Sequence, residues 1–275
     1  MLLKTLRRLR HGPLKRFNSM WLLLGKIYRF VVGHTKLIRL VKIRVGRYGP
    51  FKFNAYFAFS DFEHWGKAHN NAFDTCIQLC QKKSCVVDVG AHIGLVTMPM
   101  SRAIGKKGQV IAFEPALMNL QYLREHVTKN KLTNVKVYDC LIGDVDKDKV
   151  EFYEQKTPTG MNSIVIKKQH QNYIRTFKKQ MTMDTFFEGS GLSPAVIKID
   201  VEGAEINVLT GALKVIENHR PFIFLSVHPQ EIDLLGQTLE ELKDIIQSIH
   251  YEVFNPDGTL ARNFELKEYI LKPIL

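Results

Sequence analysis

The sequence predicts an α/β domain: a mostly parallel sheet with helices on both faces, behind a basic N-terminal helical extension. Three observations carry this. From residue 85 onward, short apolar runs alternate with longer amphipathic ones, the pattern of buried strands joined by crossover helices. The first apolar run ends in Asp88-Val89-Gly90-Ala91-His92-Ile93-Gly94, a turn bounded by glycines that leads into a helix. The chain's whole basic excess lies in residues 1–60, which hold fourteen Lys or Arg and no acid. The chain's net charge is +12, so the remainder carries −2.

The extension, residues 1–46, has apolar residues at helical spacing: Leu14, Phe17, Trp21, Leu24, Tyr28 and Val31. Lys15, Arg16, Lys26 and Arg29 fall off that stripe. A basic amphipathic helix of this kind suits an anionic membrane surface, and it equally suits docking on the domain with its cations solvated. No run reaches the roughly 20 apolar residues of a membrane span, and no secretory cleavage pattern follows residues 20–24. A mitochondrial presequence fits the Arg-rich, acid-free composition but not the scarcity of Ser. No nucleic-acid module accompanies the charge, so no specific nucleic acid is expected. Cys76, Cys80, Cys85 and Cys140 make neither a zinc spacing nor a secreted disulfide framework. Free thiols imply a reducing compartment, so a cytoplasmic protein, peripheral at most on the inner membrane surface, is expected.

The domain is expected from residue 47 to 275. Residues 48–59 are aromatic-rich and read as strands with turns; 61–81 read as a helix. Strands follow at 85–88, 109–113 and 135–138, with helices at 95–104 and 116–130. A short strand is expected at 149–153. Residues 156–180 are polar and irregular, a candidate loop over a substrate, carrying Gly160, Asn162 and Ser163. The core strand at 195–199 precedes a helix at 204–218, and a strand at 221–227 precedes a helix at 239–249. Residues 251–254 and 265–271 close the sheet.

Ligands of such sheets bind beyond the carboxyl ends of the strands, and two clusters fall there. The first is Asp88 with the turn after it. Twenty residues past Gly94, the next strand ends at Glu114-Pro115. An acid there accepts hydrogen bonds from ribose hydroxyls. A dinucleotide turn wants a glycine where Ala91-His92 stand, and Asp88 would repel a pyrophosphate. It suits instead a ligand with a cationic amino group, S-adenosylmethionine. Asp88, Gly90, Ala91, His92, Gly94, Glu114, Pro115 and Asp200 are the candidate cofactor residues, with Asp139 or Cys140 at the adenine. The second cluster is Asp200-Val201-Glu202-Gly203-Ala204-Glu205 after the strand at 195–199. Glu205, in the first turn of a helix, is explained by the helix dipole. Asp200 and Glu202 are not, and they read as active-site acids. One strand later His228 falls at a carboxyl end, where its near-neutral pKa suits a general base. Asp200 and Glu202 offer oxygen ligands suited to Mg²⁺, but two carboxylates are thin evidence and no metal residue is assigned.

These residues resemble the FkbM family of S-adenosylmethionine-dependent methyltransferases. The resemblance rests on Asp88 to Gly94, Phe113-Glu114-Pro115, Lys198 to Glu205 and Val208-Leu209-Thr210-Gly211-Ala212, with Met183-Asp184 before the Gly-rich turn. It implies a class I methyltransferase (Rossmann-like) fold of seven strands, the last antiparallel. It implies O-methylation of a hydroxyl on a sugar, glycan or secondary metabolite. Asp200 would then lie near the transferred methyl, and Asp200 or His228 would take the acceptor's proton. The sequence departs from the family in His92, where Asn is usual, and in Ser226-Val227-His228, where an acidic ending is usual. Two other readings stand beside this one: an NAD-dependent nucleotide-sugar oxidoreductase, and a noncatalytic membrane-associated module on a cofactor fold.

Overall fold

A computed structural model describes residues 9, 12, 16–35, 40–68, 70–165 and 173–274. Its centre is a seven-stranded sheet. The chain enters through helix α1 (Asn18–Thr35) and a hairpin of β1 (Leu40–Val45) and β2 (Tyr48–Asn54). Helix α2 (Phe73–Leu79) leads to the sheet strands β3 (Cys85–Val89), β4 (Gln109–Phe113) and β5 (Val135–Tyr138), connected by α3 (Thr97–Ile104) and α4 (Leu117–Lys129). A side sheet follows: β6 (Leu141–Ile142), β7 (Lys147–Glu154) and β8 (Ile174–Met181). Then come α5 (Met183–Phe187), β9 (Pro194–Ile199), α6 (Glu205–Thr210), α7 (Leu213–His219) and β10 (Phe222–Val227). Helices α8 (Pro229–Leu234) and α9 (Leu239–Ser248) precede β11 (Tyr251–Phe254) and β12 (Lys267–Pro273).

The strand order is β11-β12-β10-β9-β3-β4-β5, and β12 alone runs against its neighbours. This is the expected class I arrangement. Period-2 alternation sends each strand's side chains to two cores. Val87, Val89, Ile197, Ile199, Leu225 and Leu271 pack against α5, α6, α7 and α9 on one face. Val86, Val110, Val196, Phe224 and Ile270 pack on the other against α2, α3 and the β1–β2 hairpin.

Four expectations change. The boundary expected at residue 46 falls in the turn of the β1–β2 hairpin, whose Val41, Ile43, Val45, Phe51 and Phe53 are buried in the second core. The alternation of apolar 41, 43 and 45 with Lys42 and Arg44 makes β1 part of the domain. The helix expected over 61–81 is a single turn at Phe62–His64 and α2, separated at Gly66, whose φ of +90° ends helical backbone. The helix expected over 204–218 breaks at Gly211-Ala212. There the Asp184 carboxylate accepts from the Lys214 and Val215 amides, 3.1 and 2.9 Å away, and so starts α7 as a new helix. The irregular segment 156–180 ends in β8, paired antiparallel with β7. Residues 166–172 of that segment, and Leu14, lie outside the described residues.

Candidate active site

The carboxyl ends of β3, β4, β9 and β10 open into one cavity of about 1140 Å³, its open mouth included. Its lining brings together residues far apart in sequence: Asp88, Glu114, Asp200, Glu202 and His228 all face it.

Asp88 closes β3 and is buried. Thr97, at the start of α3, donates its hydroxyl to Asp88 Oδ2 at 2.5 Å. Burial pushes the Asp88 carboxyl up to about 6, against the Thr97 hydrogen bond and the charge of Lys198. The turn after it is forced by a close backbone approach. A Cβ on Gly90 would lie 1.9 Å from the Asp200 carbonyl oxygen, and Gly90 has φ +82°. Only glycine lets the β3 and β9 exits meet there.

Glu114 ties that turn to β4. Its Oε2 accepts from the His92 amide at 2.7 Å and its Oε1 from the Ala116 amide at 2.9 Å. Asn119 Nδ2 also donates to Oε1, at 3.4 Å. Burial raises the Glu114 carboxyl to about 7, against those three donors. Oε2 keeps a lone pair for a further donor. His92 sits in left-handed backbone at φ +52°. Burial lowers its pKa to about 4, so the ring is neutral, and its buried Nε2 has no hydrogen-bond partner. Ala91, Pro115 and Cys140 line the cavity beside it. Gly94 does not; at φ +93° it turns the chain into α3. Asp139 is exposed and outside the cavity lining, whereas Cys140 and Leu141 line it.

On the other side of β3, Asp200, Glu202 and His228 gather. His228 Nε2 is 3.7 Å from Asp200 Oδ1 and 3.6 Å from Glu202 Oε1. Its Nδ1 is 2.7 Å from Glu205 Oε1, which also accepts from the Gly203 amide. Glu205 is fully buried, so the dipole explanation offered for it is replaced: it orients His228. Burial opposes charge on His228. The Glu205 hydrogen bond and the charges of Asp200, Glu205 and Glu202 outweigh it and raise the imidazole to about 9. The three cavity residues each offer one ligand atom, all within 4.8 Å of one another. Such a set is able to hold a metal ion, which the two carboxylates alone do not establish.

Sequence reasoning missed Lys198. Asp88, Lys198, Ser226 and Glu268 project from neighbouring strands onto one face of the sheet. Lys198 Nζ lies 2.8 Å from Ser226 Oγ and 3.2 Å from both Asp200 Oδ2 and Glu268 Oε1. Burial disfavours its charge, but Asp200, Glu268 and Asp88 hold its pKa above the ordinary lysine value. The signal was a lysine inside the apolar run Val196-Ile197-Lys198-Ile199. Trp65 was also missed; it lines the cavity with its buried indole N–H unpartnered. Residues 159–165 wall the cavity, as Asn119 bonds both the amide and the carbonyl of Thr159, and Ser163 Oγ donates to the Glu202 carbonyl at 2.7 Å.

This donor set fits S-adenosylmethionine. Asp88 is a buried acid facing the cavity, Glu114 Oε2 retains acceptor capacity for a hydroxyl, and Cys140, Leu141, Ile142 and Phe152 offer an apolar wall for a purine.

The methyltransferase FkbM domain family matches residues 88–255. Methyltransferase 1 of Beauveria bassiana (strain ARSEF 2860) is 26% identical over 148 residues, 46% of this chain and 58% of that protein. The chain thus spans less than two thirds of that relative's length. Among solved structures, methyltransferase FkbM from Methylobacillus flagellatus KT aligns with a TM-score of 0.45 at 22% identity, over 70% of this chain and 43% of that one. Aeropyrum pernix fibrillarin, solved with natively bound S-adenosyl-L-methionine, aligns with a TM-score of 0.42 at 10% identity, over 74% and 76%. The family match begins at Asp88, takes in Glu114, the Asp200 turn and His228, and extends over more than half of the chain, so this protein belongs to the FkbM family of S-adenosylmethionine-dependent methyltransferases.

Proposed function

We propose that the chain is an O-methyltransferase acting on a hydroxyl of a sugar, glycan or secondary metabolite. The observation that carries this reading is His228, held at Nδ1 by Glu205 and turned at Nε2 toward Asp200 and Glu202, in the same cavity as Asp88 and Glu114. Asp88, the backbone of residues 90–92, Glu114 with Pro115, and Cys140 hold the cofactor. When bound, S-adenosylmethionine supplies a methyl group on a sulfonium centre, already activated for transfer to oxygen. The chain then has two tasks: to align the acceptor hydroxyl and to remove its proton. His228 Nε2 takes that proton. The resulting imidazolium is stabilised by Glu205 behind it and by Asp200 and Glu202 beside it. Asp200 and Glu202 also offer acceptors that orient the hydroxyl. The wall at 159–165 limits water at the reacting oxygen, and Trp65 presents a flat apolar surface and one N–H donor suited to a sugar ring. We assign the protein to the cytoplasm on its four free, buried cysteines.

Calorimetric titration with S-adenosylhomocysteine, then with NAD, tests the cofactor half of this reading. Binding of the first and not the second is expected; binding of NAD alone would overturn it. Transfer of a labelled methyl group onto hydroxylated glycans tests the rest. The product of hydroxyl methylation is an ether that survives mild base. Release of the label as methanol in base would mean a carboxyl acceptor and would sink the hydroxyl assignment.

A further inference from the structure

Helix α1 carries two apolar faces, and the domain covers only one. Trp21 and Tyr28 turn inward: Trp21 is buried, and the Tyr28 ring meets Phe59 edge-on at 4.8 Å. Arg29 lies over the Tyr56 ring at 5.5 Å, fastening the same side. Phe17, Met20, Leu23, Leu24 and Ile27 point away from the domain and are 40 to 60% exposed. At 100° per residue these five occupy one sector of the helix, next to the inward pair. Five large apolar side chains in one exposed sector exceed the scattered apolar residues of an ordinary surface. The cations lie around them. Arg16 packs over the Phe17 ring at 5.1 Å, Lys26 is exposed, and the first sixty residues carry fourteen Lys or Arg with no acid. Among the described residues no helix is long and apolar enough to cross a membrane. A helix with an apolar face and basic flanks lies in the plane of an anionic bilayer surface, where burial of the apolar side chains and attraction to lipid charge add.

We propose that the outward face of α1 docks on an anionic lipid surface, while its inward face keeps the helix fixed to the domain. The exposed sector supplies the apolar contact and the cations beside it, Arg16 and Lys26 among them, select the lipid charge. A second copy of this chain is a poorer occupant, because it would bring like-charged basic segments together.

Sedimentation of the full chain with vesicles tests this, using phosphatidylcholine alone and phosphatidylcholine with about 30% phosphatidylserine. Binding to the mixed vesicles only, weakened by added salt, is expected. The double variant Leu23→Ser, Ile27→Ser should bind at least about tenfold more weakly per deleted side chain. Both sites are exposed, and unchanged S-adenosylhomocysteine binding by calorimetry will show that the variant is folded. Arg16→Glu with Lys26→Glu should lose the preference for phosphatidylserine. Equal binding to both vesicles, no binding to either, or undiminished binding of the serine variant would each overturn the proposal. So would light scattering that shows a dimer which the serine variant abolishes, since the face would then belong to a second copy.

Discussion

The Nδ1 of His228 lies 2.7 Å from a Glu205 oxygen that solvent does not reach, and this single contact decides what the imidazole can do. It sets the ring orientation and, with Asp200 and Glu202, lifts the pKa to about 9. A base must lose its own proton before it can take another, so at pH 7 only about one molecule in a hundred is ready. With saturating cofactor and acceptor, kcat should therefore rise about tenfold per pH unit and level off near pH 9. His228→Gln should lower kcat by about 10²–10⁴ and abolish that rise, with S-adenosylhomocysteine affinity unchanged by calorimetry. A rise that persists in His228→Gln would move the base to another group, Asp200 first. Much of this site was legible at residue level. Asp88, Glu114, Asp200 and His228 stand at strand ends, and strand ends can be read from where apolar runs stop. Glu205 and Lys198 were not legible as site residues. Their roles depend on partners 23 and 28 residues away, His228 and Ser226, that only the sheet brings close. The exposed position of Asp139 likewise depends on how β5 ends, which no local pattern specifies.

The exits of β3 and β9 meet backbone to backbone, and the meeting point is Gly90. The Asp200 amide donates to the Val89 carbonyl at 3.0 Å, and the Gly90 and Ala91 amides donate to the Phe113 carbonyl. Three strand ends are thus laced together by the turn that holds the cofactor. Gly90→Ala would put a Cβ 1.9 Å from the Asp200 carbonyl oxygen, a backbone atom that no rotamer change can move aside. It would also force alanine to φ +82°. Stability should fall by at least about 2 kcal/mol in denaturant titration. S-adenosylhomocysteine binding should be lost even where the variant stays folded. Wild-type affinity in Gly90→Ala would mean that the two exits separate freely. The central strands were readable because burial on both faces makes them continuous apolar runs. Strand β8 was not: Ile-Arg-Thr-Phe-Lys-Lys-Gln-Met belongs to a small side sheet that leaves most of it in water. No apolar run marks such a strand. The hairpin strand β1 did carry a period of two, but it lies inside the basic segment, and the charge pattern masked it. The helix break at Gly211-Ala212 depends on the Asp184 carboxylate, far away in sequence, capping the start of α7, which no local pattern reveals.

Across the whole molecule, the ionisable groups of the cavity tie stability to pH. Burial raises Asp88 from 3.8 to about 6 and Glu114 from 4.5 to about 7. Folding thus holds protons that the unfolded chain releases, and the stability this gives is lost as pH climbs to about 7. His92 and His126 run the other way. Burial lowers each from 6.5 to about 4, so their contribution is lost as pH falls below 6.5. Above about pH 8 these four have finished titrating; His228, shifted from 6.5 to about 9, still titrates, and Cys85 and Cys140, raised by burial from 9.0 to about 11, begin to contribute. The folded state keeps its proton and the unfolded state has lost it, so stability is full below 6.5 and declines as pH rises through 9. The ceiling on that loss is about 3 kcal/mol, set by the span between the two values. Thermal melts should therefore fall from pH 7 to pH 9.5, while kcat rises over the same range. Activity and stability would then move in opposite directions because the His228 proton contributes to both. His228→Gln should flatten the rate profile and reduce the stability loss, leaving the part due to Glu114 and the buried thiols Cys76, Cys85 and Cys140. A variant that flattens the rate profile but loses as much stability by pH 9.5 as the wild type would separate the two and place the whole loss in groups other than the active-site histidine.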